Sequence, residues 1–263
     1  MTLFDPKERT DRGIATQTEL TGRPAPEPKS VYQASWRDYI FSEIWNRPGL
    51  ERRARFLIAI GSGAMCDCSE QILDDYIRGA LKTTELSLAE LRECSLHAAV
   101  YSGWGRGDKL DKSIDRIEKE LGLEPCDFAP LRAEPWDKEQ RWKDGQDEFR
   151  HVMTFPGPTP EIPYHEGGIL NFVFAEMWPR RILDQRSRRW ITLVGVCEAG
   201  VDAPIQTHIY AAMASGNCNR QEMLEFVLQY ATHAGWPKVS ALSHIVNFMA
   251  DKVENGLPYG PMK

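Results

Sequence analysis

His208 is the residue in this 263-residue chain with the clearest potential for chemistry. A neutral imidazole near pH 7 can both take and give a proton, as general acid-base catalysis requires. On a helix, His208 would lie beside an apolar stripe and not at its centre. The stripe consists of Ile205, Ile209, Ala212 and Met213. The alternative interpretation is a core histidine whose ring nitrogens are both hydrogen-bonded.

Two other residues could assist His208. His233 lies on the side of its predicted helix away from the core face, where it could line the same pocket or fill an interface. Glu198 lies near the end of the helix that precedes His208 and could orient the imidazole. Carboxylates at helix ends are, however, usually solvated.

An arginine-rich helix supplies candidates for substrate binding. A guanidinium can hold a carboxylate through two parallel hydrogen bonds. Arg186 and Arg188 recur as Arg53 and Arg55 in the first half of the chain, which favours structural ion pairs. Arg189 has no such counterpart and is the better candidate for a substrate carboxylate.

Tryptophans and cysteines complete the set of candidates. Trp190 stands where the first half has a leucine and could shape a pocket. Trp236 is a candidate for substrate contact, although its recurrence as Trp104 also fits a place in the core. Only one residue separates Cys66 from Cys68, which suits neither a CxxC redox centre nor a zinc site. We therefore expect neither a metal nor a cofactor.

The elements that position these residues occur twice. FSEIWNRPGLERRARFLIAI (41–60) aligns without a gap to FAEMWPRRILDQRSRRWITL (174–193), and the match resumes downstream to the end of each half. This pattern predicts a tandem duplication. Tyr76 then occupies the position of His208 and Tyr101 that of His233, so the first half is expected to lack the same site.

Helical periodicity dominates both halves. Apolar residues recur at helical spacing after Asn219, a favoured N-cap residue, and the pattern ends at Gly235. No window alternates apolar and polar residues as a strand would, so we predict an all-α fold. The predicted organisation is a Pro-rich extended strap at 1–35, a first helical domain at 36–125, a linker and second strap at 126–169, and a second helical domain at 170–256. Phe226 and Tyr230 would give one helix a second apolar face, across which the two halves, or several subunits, pack.

Composition excludes several classes of function. The 32 basic and 38 acidic residues leave a formal charge of −6, so no overall basic field would hold a nucleic acid or an anionic membrane. The longest apolar runs are shorter than the roughly 20 residues of a spanning helix, and the first residues lack a secretory signal pattern. We expect a cytoplasmic protein with a small-molecule substrate.

The second half resembles the carboxymuconolactone decarboxylase family. The resemblance rests on the string His208-x3-Ala212-x3-Gly216-x5-Glu222-x2-Glu225-x5-Ala231-x3-Gly235-x-Pro237, and it is weaker in the first half. It implies an all-α fold that assembles into oligomers, here most simply a trimer, with pockets where subunits meet. The family's peroxidase branch uses a CxxC pair, which this chain replaces with Val201 and Pro204.

The resemblance implies a cofactor-independent lyase acting on a small carboxylated ring or lactone, with His208 as the acid-base group. The catalytic candidates are His208, His233 and Glu198, and the substrate-binding candidates are Arg189, Trp190 and Trp236. A non-catalytic oligomeric binding or scaffold protein is the alternative.

Overall fold

The computed structural model describes residues 3–132, 134 and 136–262, and within them every regular element is a helix. A short 3₁₀ turn, Pro6–Glu8, precedes the first helix. The first half contains α1 (Arg9–Thr21), α2 (Val31–Ser35), the π-helical segment π1 (Trp36–Ile44), α3 (Arg52–Met65), α4 (Glu70–Lys82), α5 (Leu88–Ser102) and α6 (Trp104–Leu121). The second half contains α7 (Lys138–Met153), the π-helical segment π2 (Tyr164–Met177), α8 (Gln185–Ala199), α9 (Asp202–Ala214), α10 (Arg220–Ala234), α11 (Trp236–Val239) and α12 (Leu242–Glu254).

The same local signals bound the corresponding helices α5 and α10. Ser87 and Asn219 each form a capping box with the glutamate three residues later. Both helices end at a glycine, Gly103 or Gly235, whose φ of 92° or 88° lies in a region that other residues avoid. The caps expected from the sequence are therefore present, and they set the lengths of the two helices that carry Tyr101 and His233.

Corresponding helices also have corresponding neighbours. Helix α1 packs on π1 as α7 packs on π2, and α5 packs on α8 as α3 packs on α10. Helices α3 and α8 meet at the centre of one continuous core. The internal duplication stays a prediction, and this arrangement is what it would produce.

Reciprocal ion pairs join the halves. Glu225 of α10 accepts hydrogen bonds from Arg47 and Arg55 of the first half, with nearest N···O distances of 2.8 and 3.2 Å. Glu93 of α5 accepts from Arg180 and Arg188 of the second half at 2.7 and 3.0 Å. These carboxylates are almost fully buried, so loss of Glu225 or Glu93 would remove the carboxylate partner of the buried guanidinium of Arg55 or Arg188.

Two predictions about packing need correction. The regions assigned to straps are not extended throughout, because 1–35 contains α1 and 126–169 contains α7; only the proline-bearing stretches next to them lack helix. The second apolar face of α10 was predicted to pack against the other half or against further subunits; Phe226 and Tyr230 are fully buried within the chain, and Phe226 stacks on Trp190. Their second apolar face is used inside the chain and gives no evidence for an oligomer.

Among the described residues, no helix combines the length and the apolar character that crossing a bilayer would require.

Candidate functional site

A cavity of about 510 Å³ lies between α5 of the first half and α7, π2, α8 and α9 of the second half. Its wall is mostly apolar, and the polar atoms of the lining side chains come from Tyr101, Tyr164, Thr207 and His208. A volume of this size suits a small ring compound. The apolar lining comprises Val100, Phe149, Met153, Phe155, Ile169, Val173, Phe174, Val196, Ala199, Ala203 and Pro204, with Gly168.

His208 reaches the cavity from the middle of α9. Its side chain is 8% exposed, and its ring stands perpendicular to that of Tyr101 with the centroids 5.4 Å apart. Within the described part of the chain, the buried Nδ1 atom has no hydrogen-bond partner. Burial, aided by the charge of Arg189, lowers the pKa of His208 to about 3, so the free ring is neutral at pH 7. The near-neutral pKa assumed from the sequence is therefore wrong for the free site.

Tyr101 is the partner of His208 in the cavity wall. Its hydroxyl accepts a hydrogen bond from Trp178 Nε1 at 3.0 Å, which holds the phenol in place. Burial raises the pKa of Tyr101 to about 12, so the hydroxyl keeps its proton and can donate it in a hydrogen bond. The sequence placed Tyr101 only as the counterpart of His233, and not beside His208.

Arg189 lies behind the cavity wall and is 1% exposed. Its Nε donates to Asn217, its Nη2 donates to the Val152 carbonyl, and its guanidinium lies 5.2 Å from the centre of the Trp178 ring. It is not part of the lining, so the predicted bidentate clamp on a substrate carboxylate is not what the geometry offers. Burial lowers the pKa of Arg189 to about 10, and the group stays charged at pH 7.

Glu198 does not orient His208. Its carboxylate accepts hydrogen bonds from Tyr230 at 2.5 Å, from Lys238 at 2.8 Å and from the Cys66 thiol at 3.4 Å. Burial opposes ionisation, but these donors outweigh it and lower the pKa of Glu198. The residue therefore serves a separate polar cluster at the end of α8.

His233 belongs to a different site from His208. Its Nε2 lies 3.0 Å from the Tyr76 hydroxyl, and its Nδ1 lies 2.8 Å from Thr232 Oγ1. Because the Thr232 hydroxyl donates to the Gln229 carbonyl, Nδ1 must donate to Thr232 and Nε2 must accept from Tyr76. Both nitrogens are thus occupied, and the predicted shared pocket with His208 is not formed.

The ring pair Tyr76/His233 is covered by aromatic side chains. Trp36 packs edge-on against His233 with centroids 6.0 Å apart, and Trp45 packs on Tyr76 at 5.6 Å. In the register that aligns Phe41 with Phe174, Trp36 corresponds to Ile169. Ile169 lines the cavity that His208 reaches. A smaller residue at that position leaves space beside His208.

The remaining sequence candidates lie away from the cavity. Trp190 is fully buried between Phe226 and the guanidinium of Arg186, so it belongs to the core. Trp236 is 50% exposed and Trp104 is 64% exposed, so neither belongs to the core, and Trp236 is not part of the cavity lining. Both tryptophans follow the glycines that end α10 and α5.

Two other concave surfaces have a different character from this cavity. One of about 610 Å³ lies along α7 and π2, and one of about 500 Å³ lies beside α5 and α6. Their walls are rich in charged side chains that already pair with each other, such as Arg132 with Asp144 and Arg92 with Asp111. No group of three or more His, Cys, Asp or Glu side chains in the described ranges could hold a metal ion.

The sequence identified His208 but missed its surroundings. The correspondence between the halves was a usable signal, because Tyr76 aligns with His208 and Tyr101 aligns with His233. In the structure each of these histidines contacts the tyrosine that aligns with the other histidine, which gives the pairs Tyr101/His208 and Tyr76/His233. Thr207, Tyr164 and the apolar lining carried no comparable signal.

Comparison with known proteins agrees with this fold. Residues 31–110 match the model of the carboxymuconolactone decarboxylase family. The chain is also 24% identical over 127 residues to a protein of Acinetobacter baylyi named 4-carboxymuconolactone decarboxylase, a match that covers 45% of this chain and 93% of that protein. The family match lies in the first half, where the weaker resemblance was expected, and it includes Tyr101 but not His208. Residues 31–110 are therefore similar to the carboxymuconolactone decarboxylase family.

Proposed function

We propose that the cavity beside His208 is the active site of a decarboxylase-like lyase that cleaves a carbon–carbon bond of a small, mostly apolar ring acid or lactone without a cofactor. One observation carries this proposal: a neutral imidazole with an unpartnered nitrogen, among the described residues, lies in the wall of a cavity that is mostly apolar and contains no charged side chain. His97 and His233 differ from His208 because both of their ring nitrogens have partners. Those partners are Thr192 and Met177 for His97, and Tyr76 and Thr232 for His233.

The proposed reaction follows from the ability of a neutral imidazole to take up a proton and release it again. A carboxylate bound beside His208 would favour the imidazolium over the neutral ring and so draw a proton onto it. When carbon dioxide leaves, the electron pair of the broken bond stays on the ring carbon of the substrate. The imidazolium gives its proton to that carbon, and the imidazole of His208 is neutral again. The Tyr101 hydroxyl could donate a hydrogen bond to an oxygen of the substrate and stabilise the charge that develops there.

The decisive experiment measures product from a panel of lactones, keto acids and aromatic ring acids, with carbon dioxide and mass loss as readouts. Turnover by the wild-type protein that disappears in a His208→Gln variant would support the proposal. Turnover at the wild-type rate in that variant would contradict it.

A non-catalytic assembly or binding protein is the second candidate function. It is favoured by exposed aromatic side chains that occur in both halves: Tyr32, Trp104, Tyr164 and Trp236 are between 50% and 68% exposed. Exposed apolar surface of this kind is typical of contacts between subunits. We propose that these residues contact further copies of the chain, with a trimer as the first assembly to test. Sedimentation of a monomer at micromolar concentration would contradict the assembly, and ligand binding without any turnover would favour a binding protein.

A further inference from the structure

The charge of Arg189 is the unusual feature beside the cavity. Six arginines of the described chain are buried, and five of them form ion pairs with a carboxylate. Those five are Arg37, Arg55, Arg78, Arg141 and Arg188. Arg189 is the exception: in the part of the chain that the structure describes, its partners are uncharged and its buried Nη1 atom has no hydrogen-bond partner.

A buried charge without a counter-charge is costly, and nearby anions lower that cost. Trp178 connects Arg189 to the cavity wall: the Arg189 guanidinium lies 5.2 Å from the centre of the Trp178 ring, and Trp178 Nε1 donates a hydrogen bond of 3.0 Å to the Tyr101 hydroxyl in the lining. The charge of Arg189 also contributes to the lowered pKa of His208. Its field therefore reaches the cavity wall, although its side chain does not. The lining itself contains no lysine, arginine, aspartate or glutamate among the described residues.

The other elements around His208 supply no competing charge. Helix α5 contributes Tyr101, with the neutral His97 behind it, and π2 contributes the Tyr164 phenol. The part of α7 that lines the cavity offers Phe149 and Met153, which are apolar.

Helix α12 packs on α9 as well, but its charged groups have other partners. Asp251 and Glu254 bind Arg220, and the Lys252 ammonium lies 5.4 Å from the centre of the Phe248 ring. His244 of the same helix is exposed.

We infer that the cavity selects ligands with a single negative charge: the monocarboxylate of an apolar ring compound, whose charge Arg189 balances from behind the wall while His208 and Tyr101 provide the hydrogen bonds. A neutral ring compound would leave Arg189 uncompensated. A dicarboxylate would place a second, unbalanced charge against apolar side chains. This inference rests on the proposed site but not on turnover, and Arg189 is here a positioning residue.

The test uses three naphthalene compounds of similar size at pH 7: 2-naphthoate, 2-naphthol and naphthalene-2,6-dicarboxylate. Calorimetry of the full-length wild-type protein should show 2-naphthoate binding at least about tenfold more tightly than either other compound, a difference of about 1.4 kcal/mol. Equal or tighter binding of 2-naphthol or of the dicarboxylate would overturn the inference. So would failure of all three compounds to bind.

An Arg189→Met variant separates charge balance from a structural role. Loss of packing alone would weaken 2-naphthoate and 2-naphthol equally, whereas loss of the charge should bring their affinity ratio to about one. Arg189→Lys, which keeps a positive charge, should retain part of the preference. Arg186→Met is the matched control on the same helix, because Arg186 is already paired with Glu51 and Glu222. An unchanged ratio in Arg189→Met, or an equal loss in Arg186→Met, would contradict the inference.

The location of binding needs its own control. Ile169→Trp places a large ring in the cavity wall and should abolish binding of 2-naphthoate, whereas the corresponding Trp36→Ile change should not weaken it. Wild-type binding in Ile169→Trp would show that the compounds bind elsewhere. If naphthoate binds as expected and no substrate is turned over, the inference stands and the proposed reaction fails.

Discussion

The two His–Tyr pairs contain the same side chains in different surroundings. In the pair Tyr76/His233 the rings share a hydrogen bond, both imidazole nitrogens are occupied, and Trp36 covers the histidine. In the pair Tyr101/His208 the rings touch without a hydrogen bond, and a cavity lies beside them. The difference shows that a histidine is available for chemistry when its neighbours leave space beside the ring and leave a ring nitrogen without a hydrogen-bond partner.

The largest expected effect comes from removing the free imidazole. His208→Gln should reduce turnover at least about a hundredfold, within the usual range for general acid-base catalysis, because glutamine keeps much of the volume but cannot carry the proton. His233→Gln is the matched control and should change turnover little. Rates of product formation on the best substrate of the panel check this. Similar losses in both variants would mean that the two sites do not differ as proposed.

Exchanging the covering side chain should partly exchange the properties of the two sites. Trp36→Ile should lower the free energy of unfolding by about 1–3 kcal/mol, because it removes a large ring from a packed cluster. It should also create a second position for a small apolar ligand beside His233. Chemical denaturation and the calorimetric stoichiometry of 2-naphthol measure the two effects. Unchanged stability would show that Trp36 is not a packing element.

Tyr76 should contribute to stability, whereas Tyr101 should contribute to turnover. Tyr76→Phe leaves the buried Nε2 of His233 without its donor and should cost about 1–3 kcal/mol of stability, with turnover unchanged. Tyr101→Phe should lower turnover at fixed substrate concentration, because it removes a donor from the cavity wall. Denaturation curves and rates for both variants test this difference. Equal effects on turnover would contradict the assignment of the site to His208.

The two pairs should differ least in their response to pH. Both histidines have a lowered pKa, to about 3 for His208 and about 4 for His233, because burial disfavours the charged ring. The unfolded chain therefore binds more protons than the folded chain below the ordinary histidine pKa of 6.5.

The contribution of the two neutral rings to the free energy of unfolding should be fully present above about pH 6.5. It should fall as the pH decreases, by up to about 1.4 kcal/mol per pH unit for each ring. His208→Gln and His233→Gln should each flatten this slope, and saturating 2-naphthoate should flatten only the contribution of His208. Denaturation midpoints between about pH 5 and 7 measure the slope. A steeper slope in either variant would contradict the direction of these shifts.

Local signals in the sequence determined the helices and their caps. Ser87 and Asn219 mark helix starts, Gly103 and Gly235 mark helix ends, and each acts through backbone groups a few residues away. The choice of His208 as the main candidate also came from the sequence, through its place at the edge of an apolar stripe and through the family's histidine position.

Only the tertiary structure decided which side chains surround each histidine. Helical periodicity gives the angle of a side chain on its own helix but not the helix that covers it. The sequence therefore left open whether Phe226 and Tyr230 pack within the chain or against another subunit, and the structure buries both within the chain. Tyr101 and His208 are more than a hundred residues apart, and no local pattern encodes their contact. The low pKa of His208 arises from desolvation, and the uncharged surroundings of Arg189 in the described structure arise from the side chains packed against it. Both depend on neighbours in space and therefore exist only once the chain has folded.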